Sequence, residues 1–315
     1  MPQAEYDNKP EWPLCYIDGQ AINIDSMPGA VERAMQRARN GCGFTFYTLN
    51  LDHLAKRRQN RDFRRIYDRA TFVSADGAPV VWLSRAVGVE IERTTGADMV
   101  WPMAAECARL GIPVFLFGSN DAVLAKAVAR LTAAFPGLAI AGTEAPAMGF
   151  DPTSEAAEAA ADRVAASGAG VCFVALGAPK QEFFADMALQ RHPQLGLFCI
   201  GAALDFIAGT QRRAPGFMAR NGLEWLWRLS QNPKRMTERY VKSALMFAWL
   251  AMPWQLERVV NAAGFGRSAA FRSPARASSP AYPAGRTPTS TPTSSGLVEQ
   301  PNAMASNRWP QDRGS

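Results

Sequence analysis

The sequence predicts an α/β protein with a mostly parallel β-sheet and helices on both faces, followed by a C-terminal helical appendage and a disordered tail. Three observations predict it. Short apolar runs alternate with amphipathic stretches through most of the chain, as expected for strands buried on both faces. Residues 220–242 interleave Arg and Lys with Trp, Met and Tyr. From about residue 263 the chain turns to Ser, Pro, Ala, Thr, Gly and Arg, too few large apolar side chains to offset the entropy of ordering.

The elements follow in order. Residues 1–13 form a loose lead, 14–210 the α/β core, 211–262 the appendage and 263–315 the tail. Gly43–Leu49 is a β-rich run, Leu51–Gln59 a helix, Thr71–Ser74 a short strand and Ala78–Arg85 a helix. Ile112–Ser119 is a strand, and Asp121–Phe135 a helix stopped by Pro136-Gly137. Leu138–Ala141 is a short strand, Pro152–Ser167 an Ala- and Glu-rich helix, Gly170–Leu176 a strand, Pro179–Arg191 a helix and Leu195–Ile200 a strand.

With 315 residues, 48% of them hydrophobic, the chain can bury a substantial core. The net charge of +6 is modest, so the position of the basic residues matters more than their number. The five cysteines are scattered, and Cys172 and Cys199 sit in apolar runs, as reduced structural thiols do. His53 and His192 have no Cys or His at ligand spacing, which argues against a zinc site. No basic-then-apolar leader opens the chain, so no signal peptide is expected. The longest apolar stretch, 244–254, falls short of the roughly 20 residues that span a bilayer. These features predict a soluble or peripheral protein.

In open α/β sheets ligands bind beyond the carboxyl ends of the strands. That rule selects the loops at Thr48–Asn50, Ala75–Gly77, Gly118–Asn120 and Gly177–Glu182. Asp76 is either a general base or the N-cap of the next helix. Thr48 and Asn50 either bind a sugar or phosphate, or cap a helix. In Gly177-Ala178-Pro179-Lys180-Gln181-Glu182 a tight turn leads into a helix N-terminus, whose unpaired N–H groups suit a diphosphate; Lys180 and Gln181 add contacts. A plain strand–helix turn is the other reading. Asp98 and Asp205 either hold sugar hydroxyls or serve as turn and cap residues. Arg93, Arg212 and Arg213 supply guanidinium groups for phosphate, or sit solvated on the surface. Arg235, Arg239 and Lys242 fall on one helical face beside Trp225, Trp227 and Tyr240. Such a face suits anionic lipid headgroups, docking on the domain or a dimer interface.

Together these motifs resemble the WecG/TagA/CpsF family of bacterial glycosyltransferases, from about Ile17 to Tyr240. The resemblance rests on Thr48-x-Asn50, Ala75-Asp76-Gly77-x-Pro79, Glu92-Arg93-x-x-Gly96-x-Asp98, Gly177-x-Pro179-Lys180-Gln181-Glu182, Gly201-x-x-x-Asp205-x-x-x-Gly209, Arg213-Ala214-Pro215 and Glu224–Leu229. It implies a Rossmann-like core and an inverting, metal-independent enzyme without cofactor. Such an enzyme moves N-acetylmannosamine or another hexose from a UDP donor to a polyprenyl-diphosphate-linked sugar, for cell-surface or exopolysaccharide synthesis. It implies Asp76 as catalytic base with Thr48 beside it, and Arg93 and Gln181 near the donor. Asn50, Asp98, Gly177, Lys180, Glu182, Asp205, Arg213, Arg228 and Arg235 are the further substrate-binding candidates, Arg213, Arg228 and Arg235 for a diphosphate. It implies a protein peripheral on the cytoplasmic face of an anionic membrane, and leaves homo-oligomer formation open. Asn232, before Pro233, departs from the family's usual charged residue, and the tail after about 263 has no family counterpart.

Two other classes fit the residues less well. A non-catalytic nucleotide or polyanion-binding module would use the same basic surface, but strand-end carboxylates repel phosphate and the small charge excess disfavours nucleic acid. An NAD-dependent dehydrogenase lacks support, because Gly41-Cys42-Gly43 precedes a strand and no Gly-x-Gly-x-x-Gly follows one.

Overall fold

In a computed structural model of the chain, the described residues are 13–252, without 212, 216–217, 219–223, 232, 234–236, 238–239 and 242. The expected lead and tail, and Arg235, lie outside them; of Arg228 the backbone is described and the side chain is not.

The chain opens with an antiparallel hairpin, β1 (Cys15–Ile17) and β2 (Gln20–Ile22). Asp18 and Gly19 join the strands, both with positive φ, the two-residue turn that suits the twist of a hairpin. Then come α1 (Met27–Arg39), β3 (Phe44–Leu49), α2 (Leu51–Gln59), α3 (Arg61–Asp68), β4 (Phe72–Ala75), α4 (Ala78–Ala86) and α5 (Gly96–Leu110). The second half adds β5 (Val114–Gly118), α6 (Asp121–Ala134), β6 (Ile140–Glu144), α7 (Glu155–Ala166), β7 (Val171–Ala175), α8 (Lys180–Arg191), β8 (Gly196–Cys199) and α9 (Ala203–Ala208). Helix α10 (Glu224–Gln231) follows, and residues 243–252 are helical.

Strands β3–β8 form one six-stranded parallel sheet in the order β4-β3-β8-β7-β5-β6. After β4 the chain crosses to β5 and works back, so the last strand, β8, closes against β3. Alternation along the strands supplies two cores. Phe46, Phe173, Phe198 and Leu116 face one side with α1, α5, α6 and α9, while Tyr47, Val174, Leu197 and Phe117 face the other with α2, α3, α4, α7 and α8. The result is the expected Rossmann-like α/β sheet covered on both faces.

The boundaries of two elements, β6 and α7, differ most from expectation. The strand expected at Leu138–Ala141 is β6, Ile140–Glu144, two to three residues later. It is an edge strand with half-covered faces, so Gly142, Thr143 and Glu144 are tolerated and the apolar run is a poor guide. The helix expected from Pro152 starts at Glu155, because the Ser154 side chain accepts from Ala157 N and caps it there.

Within residues 211–262 the described part of the helix at 243–252 buries Met246 and Leu250 in the core shared by α2, α4 and the hairpin. Phe247 meets Trp82 of α4 edge-on, and the Arg58 guanidinium lies 3.8 Å from the ring centroid of Trp249. Leu245, Trp249 and Met252 remain exposed. No described helix is long and apolar enough to cross a membrane.

Candidate active site

Parallel pairing sets the central geometry. Thr48 of β3 lies in register with Ser74 of β4, and Leu49 with Ala75. Side chains alternate, so Thr48, Ser74 and Asp76 share one face. Thr48 Oγ1 lies 3.5 Å from Asp76 Oδ2, and Asp76 N donates to Leu49 O at 2.8 Å. The N-cap of α4 is Gly77, with φ of 99°. Asp76 thus stands one residue before the cap, half-buried at a strand end beside a hydroxyl. For Asn50 the capping reading holds: its side chain accepts from His53 N at 3.1 Å.

The chain between α4 and α5 returns to the same strand ends. Thr94 N donates to Ala75 O at 2.8 Å, and Ser74 Oγ donates to Thr94 O at 2.8 Å. At Gly96 a Cβ would stand 2.8 Å from Cys199 O and 3.0 Å from Ile200 Cα, so only glycine lets α5 begin against the end of β8. Thr95 caps α5 by accepting from Asp98 N at 3.1 Å, and its hydroxyl donates to Asp98 Oδ2 at 2.7 Å. Asp98 also pairs with Arg213 at 2.7 Å and lies 3.9 Å from Arg93. One carboxylate thus gathers two guanidinium groups beside the N-terminus of a 15-residue helix. That leaves excess positive charge, the environment a diphosphate requires.

At the β7–α8 turn Gly177 takes a φ of 72°, and Pro179 stands at the N-cap. Lys180 Nζ donates to Phe150 O at 2.7 Å. Gln181 and Glu182 were expected to touch substrate, but α8 turns both inward, to 3% and 0% exposure. Gln181 Oε1 accepts from Gly201 N at 3.0 Å, and its Nε2 donates to Glu182 Oε1 at 2.8 Å. These contacts join the ends of β7 and β8; as direct ligand contacts the two side chains are corrected. Asp205, half-buried in the first turn of α9, accepts from Thr210 Oγ1 at 3.2 Å.

The sequence reading missed the polar groups beneath this surface. His53 is buried, and its Nδ1 donates to Thr48 O at 2.5 Å, since a carbonyl can only accept. Tyr67 Oη donates to the same carbonyl at 3.1 Å, and Tyr47 Oη donates to Glu182 O at 3.2 Å. Burial pushes the Glu182 carboxyl up to about 7, against the opposing pull of its bond from Gln181. Thr95 was missed too, although Thr95-Gly96-Ala97-Asp98 carries the capping-box spacing.

The strand ends, and not the clefts on the flanks, hold these groups together. A cleft of about 610 Å³ between α3, α7 and α8 contains Arg69 and Asp186, already paired with each other.

A doubly covered parallel sheet with a carboxylate, a hydroxyl and clustered arginines at its strand ends is the framework of an α/β enzyme. The model of the glycosyl transferase WecG/TagA/CpsF family matches residues 16–260, and the chain belongs to that family. It is a glycosyltransferase. It is 33% identical, over 178 residues, to an N-acetylglucosaminyldiphosphoundecaprenol N-acetyl-beta-D-mannosaminyltransferase of Bacillus spizizenii, a stretch covering 56% of this chain and 67% of the relative.

Proposed function

We propose that this glycosyltransferase moves a sugar, N-acetylmannosamine or another hexose, from UDP to a polyprenyl-diphosphate-linked sugar. The relative's name describes transfer of N-acetylmannosamine to a diphosphoundecaprenol-linked N-acetylglucosamine, which supports the acceptor class. The observation that carries the reading is Asp76 at its strand end, 3.5 Å from Thr48 Oγ1, with Asp98 gathering Arg93 and Arg213 in the first turn of α5.

In this reading Asp76 accepts the proton of the acceptor hydroxyl while that oxygen attacks the anomeric carbon from the face opposite UDP. The anomeric C–O bond breaks and its electron pair leaves on the diphosphate. Arg93, Arg213 and the α5 and α8 N-termini meet that charge, without a metal. Thr48 orients Asp76; Asn50 and Asp205 border the sugar; and Gly177 and Lys180 shape the diphosphate turn. Residues 211–262, with Arg228 and Arg235, approach the acceptor at the cytoplasmic surface of an anionic membrane. The exposed Leu245, Trp249 and Met252 support that orientation.

The test is transfer from a panel of UDP-sugars to a short-chain lipid-diphosphate sugar, with and without chelator. Transfer from one donor, insensitive to chelator and lost in Asp76→Asn, is expected. Transfer from a different nucleotide donor only, or loss of activity with chelator, overturns the donor or the metal-free assignment.

A further inference from the structure

We propose that Glu182 is a positioning residue for sugar transfer, an enclosed carboxyl that holds Gln181 by a hydrogen bond and abuts His53, the ring that holds the Thr48 carbonyl. The inference rests on the reading of Thr48 and Asp76 as the reacting end of the site.

The Gln181 amide has one chemically consistent orientation. Gly201 N–H is a donor, so the atom facing it is Oε1, and the NH₂ then faces Glu182 Oε1 at 2.8 Å. Replacing the Glu182 carboxyl by an apolar group would leave that NH₂ buried without an acceptor, and the amide would lose what fixes its rotation.

On the other side, His53 Nε2 stands 4.0 Å from Glu182 Oε1. The same ring donates from Nδ1 to Thr48 O, the carbonyl of the residue whose hydroxyl faces Asp76. Glu182 thus stands between the ends of three adjacent strands: β3 through His53, β7 through Gln181, and β8 through Gln181 and Gly201.

The carboxyl suits this task in its neutral form. It has 0% exposure, and Oε2 has no hydrogen-bond partner among the described residues. Its ionisable surroundings are His53, Asp52 and Lys56 of α2, Tyr67 of α3, Tyr47 of β3 and Cys199 of β8. Lys56 is already paired with Asp52. The carboxyl, raised to about 7 by burial, changes charge within the range of ordinary assays. Ionisation puts a negative charge opposite His53 Nε2 and favours a second proton on that ring. The 4.0 Å contact becomes an ion pair, and the ring's hold on the Thr48 carbonyl shifts with it.

The test compares the full chain with Glu182→Gln and Glu182→Ala. Gln keeps the acceptor oxygen and cannot ionise; Ala removes both. In Glu182→Ala, kcat is expected to fall at least 10-fold with donor KM changed less than 3-fold. In the parent, kcat is expected to decline above pH 7; in Glu182→Gln, kcat at pH 6 is expected within about 3-fold of the parent and that decline is expected to be absent.

Hydrogen–deuterium exchange provides an arm independent of turnover. At pH 6, Glu182→Ala should raise exchange at residues 48–53 and at 199–203 together, and Glu182→Gln at neither. Parent-like exchange in Glu182→Ala, or a parent-like pH profile in Glu182→Gln, overturns the proposal. An inactive parent, with the exchange pattern as expected, counts against the donor or acceptor assignment and leaves the positioning role standing.

Discussion

Asp76 and Thr48 have side chains of ordinary polarity, and their value lies in what their neighbours leave undone. Gly77 is the residue that caps α4, which sets Asp76 one position back, at the end of β4 beside Thr48. Replacing it with Asn keeps the shape and removes the basicity. Turnover should drop by about 10²–10⁴-fold with donor affinity nearly unchanged, checked by transfer kinetics and equilibrium donor binding. Glu182 makes a separate prediction, about stability. Its folded-state carboxyl is raised from 4.5 to about 7, so the folded state holds a proton that the unfolded chain has released. Unfolding free energy therefore falls as pH rises from the unfolded value through about 7, by on the order of 3 kcal/mol. Glu182→Gln should flatten that part of the profile in urea melts at pH 4.5 and 7.5. Asp76 was legible because a carboxylate after a short strand, followed by Gly, stands where α/β sheets bind ligands. The cap-or-base ambiguity was not resolvable there, since both readings place Asp at a helix start. Glu182 was harder: it follows a motif of polar residues, and its burial depends on which way α8 rolls. The signal present was its spacing from Ala185 and Leu189, three and seven residues on, which places it on the inward face.

At the scale of elements, α5 is the piece on which the arginine cluster is built. Its first residue is pressed against the β8 backbone, so Gly96→Ala forces Cβ into a space bounded by Cys199 O and Ile200 Cα. Backbone cannot give way as a flexible side chain does, and a loss of about 1–3 kcal/mol is expected in thermal or urea unfolding. Asp98 organises charge from its place in the first turn. Asp98→Ala should release Arg213, raise the donor KM several-fold and leave the melting temperature within a few degrees, because the pairs are partly exposed. The sequence showed the Gly96 and Asp98 positions but not their partners, since Arg213 arrives from more than 100 residues away. The hairpin was missed although Asp18-Gly19 announces its turn: three-residue strands are too short to show a period. Helix α3 was missed for a different reason. Its sequence is mostly charged, and only Phe63, Ile66 and Tyr67 mark the buried stripe.

For the whole molecule, the helix at 243–252 joins the core through Met246 and Leu250 while keeping Leu245, Trp249 and Met252 outside. Docking on the domain accounts for one face of this helix, and the other stays apolar and exposed. Leu245→Ser with Trp249→Ser should weaken sedimentation with anionic vesicles at least several-fold, with far-UV circular dichroism unchanged. Binding should also fall as salt rises, if basic residues assist the apolar ones. The sheet order has a consequence in time. Strand β3 carries Thr48, yet one of its two partners is β8, the last of the described strands to leave the ribosome. The separation is about 150 residues, which at roughly 5–20 residues per second means about 8–30 s of synthesis with one edge of β3 uncovered. A nascent chain in that interval has its hydroxyl and carboxylate pair but neither the Gly201 anchor nor the floor under Gly96. The enzyme therefore becomes competent late and all at once, and until then its open edge is where a chaperone has most to shield.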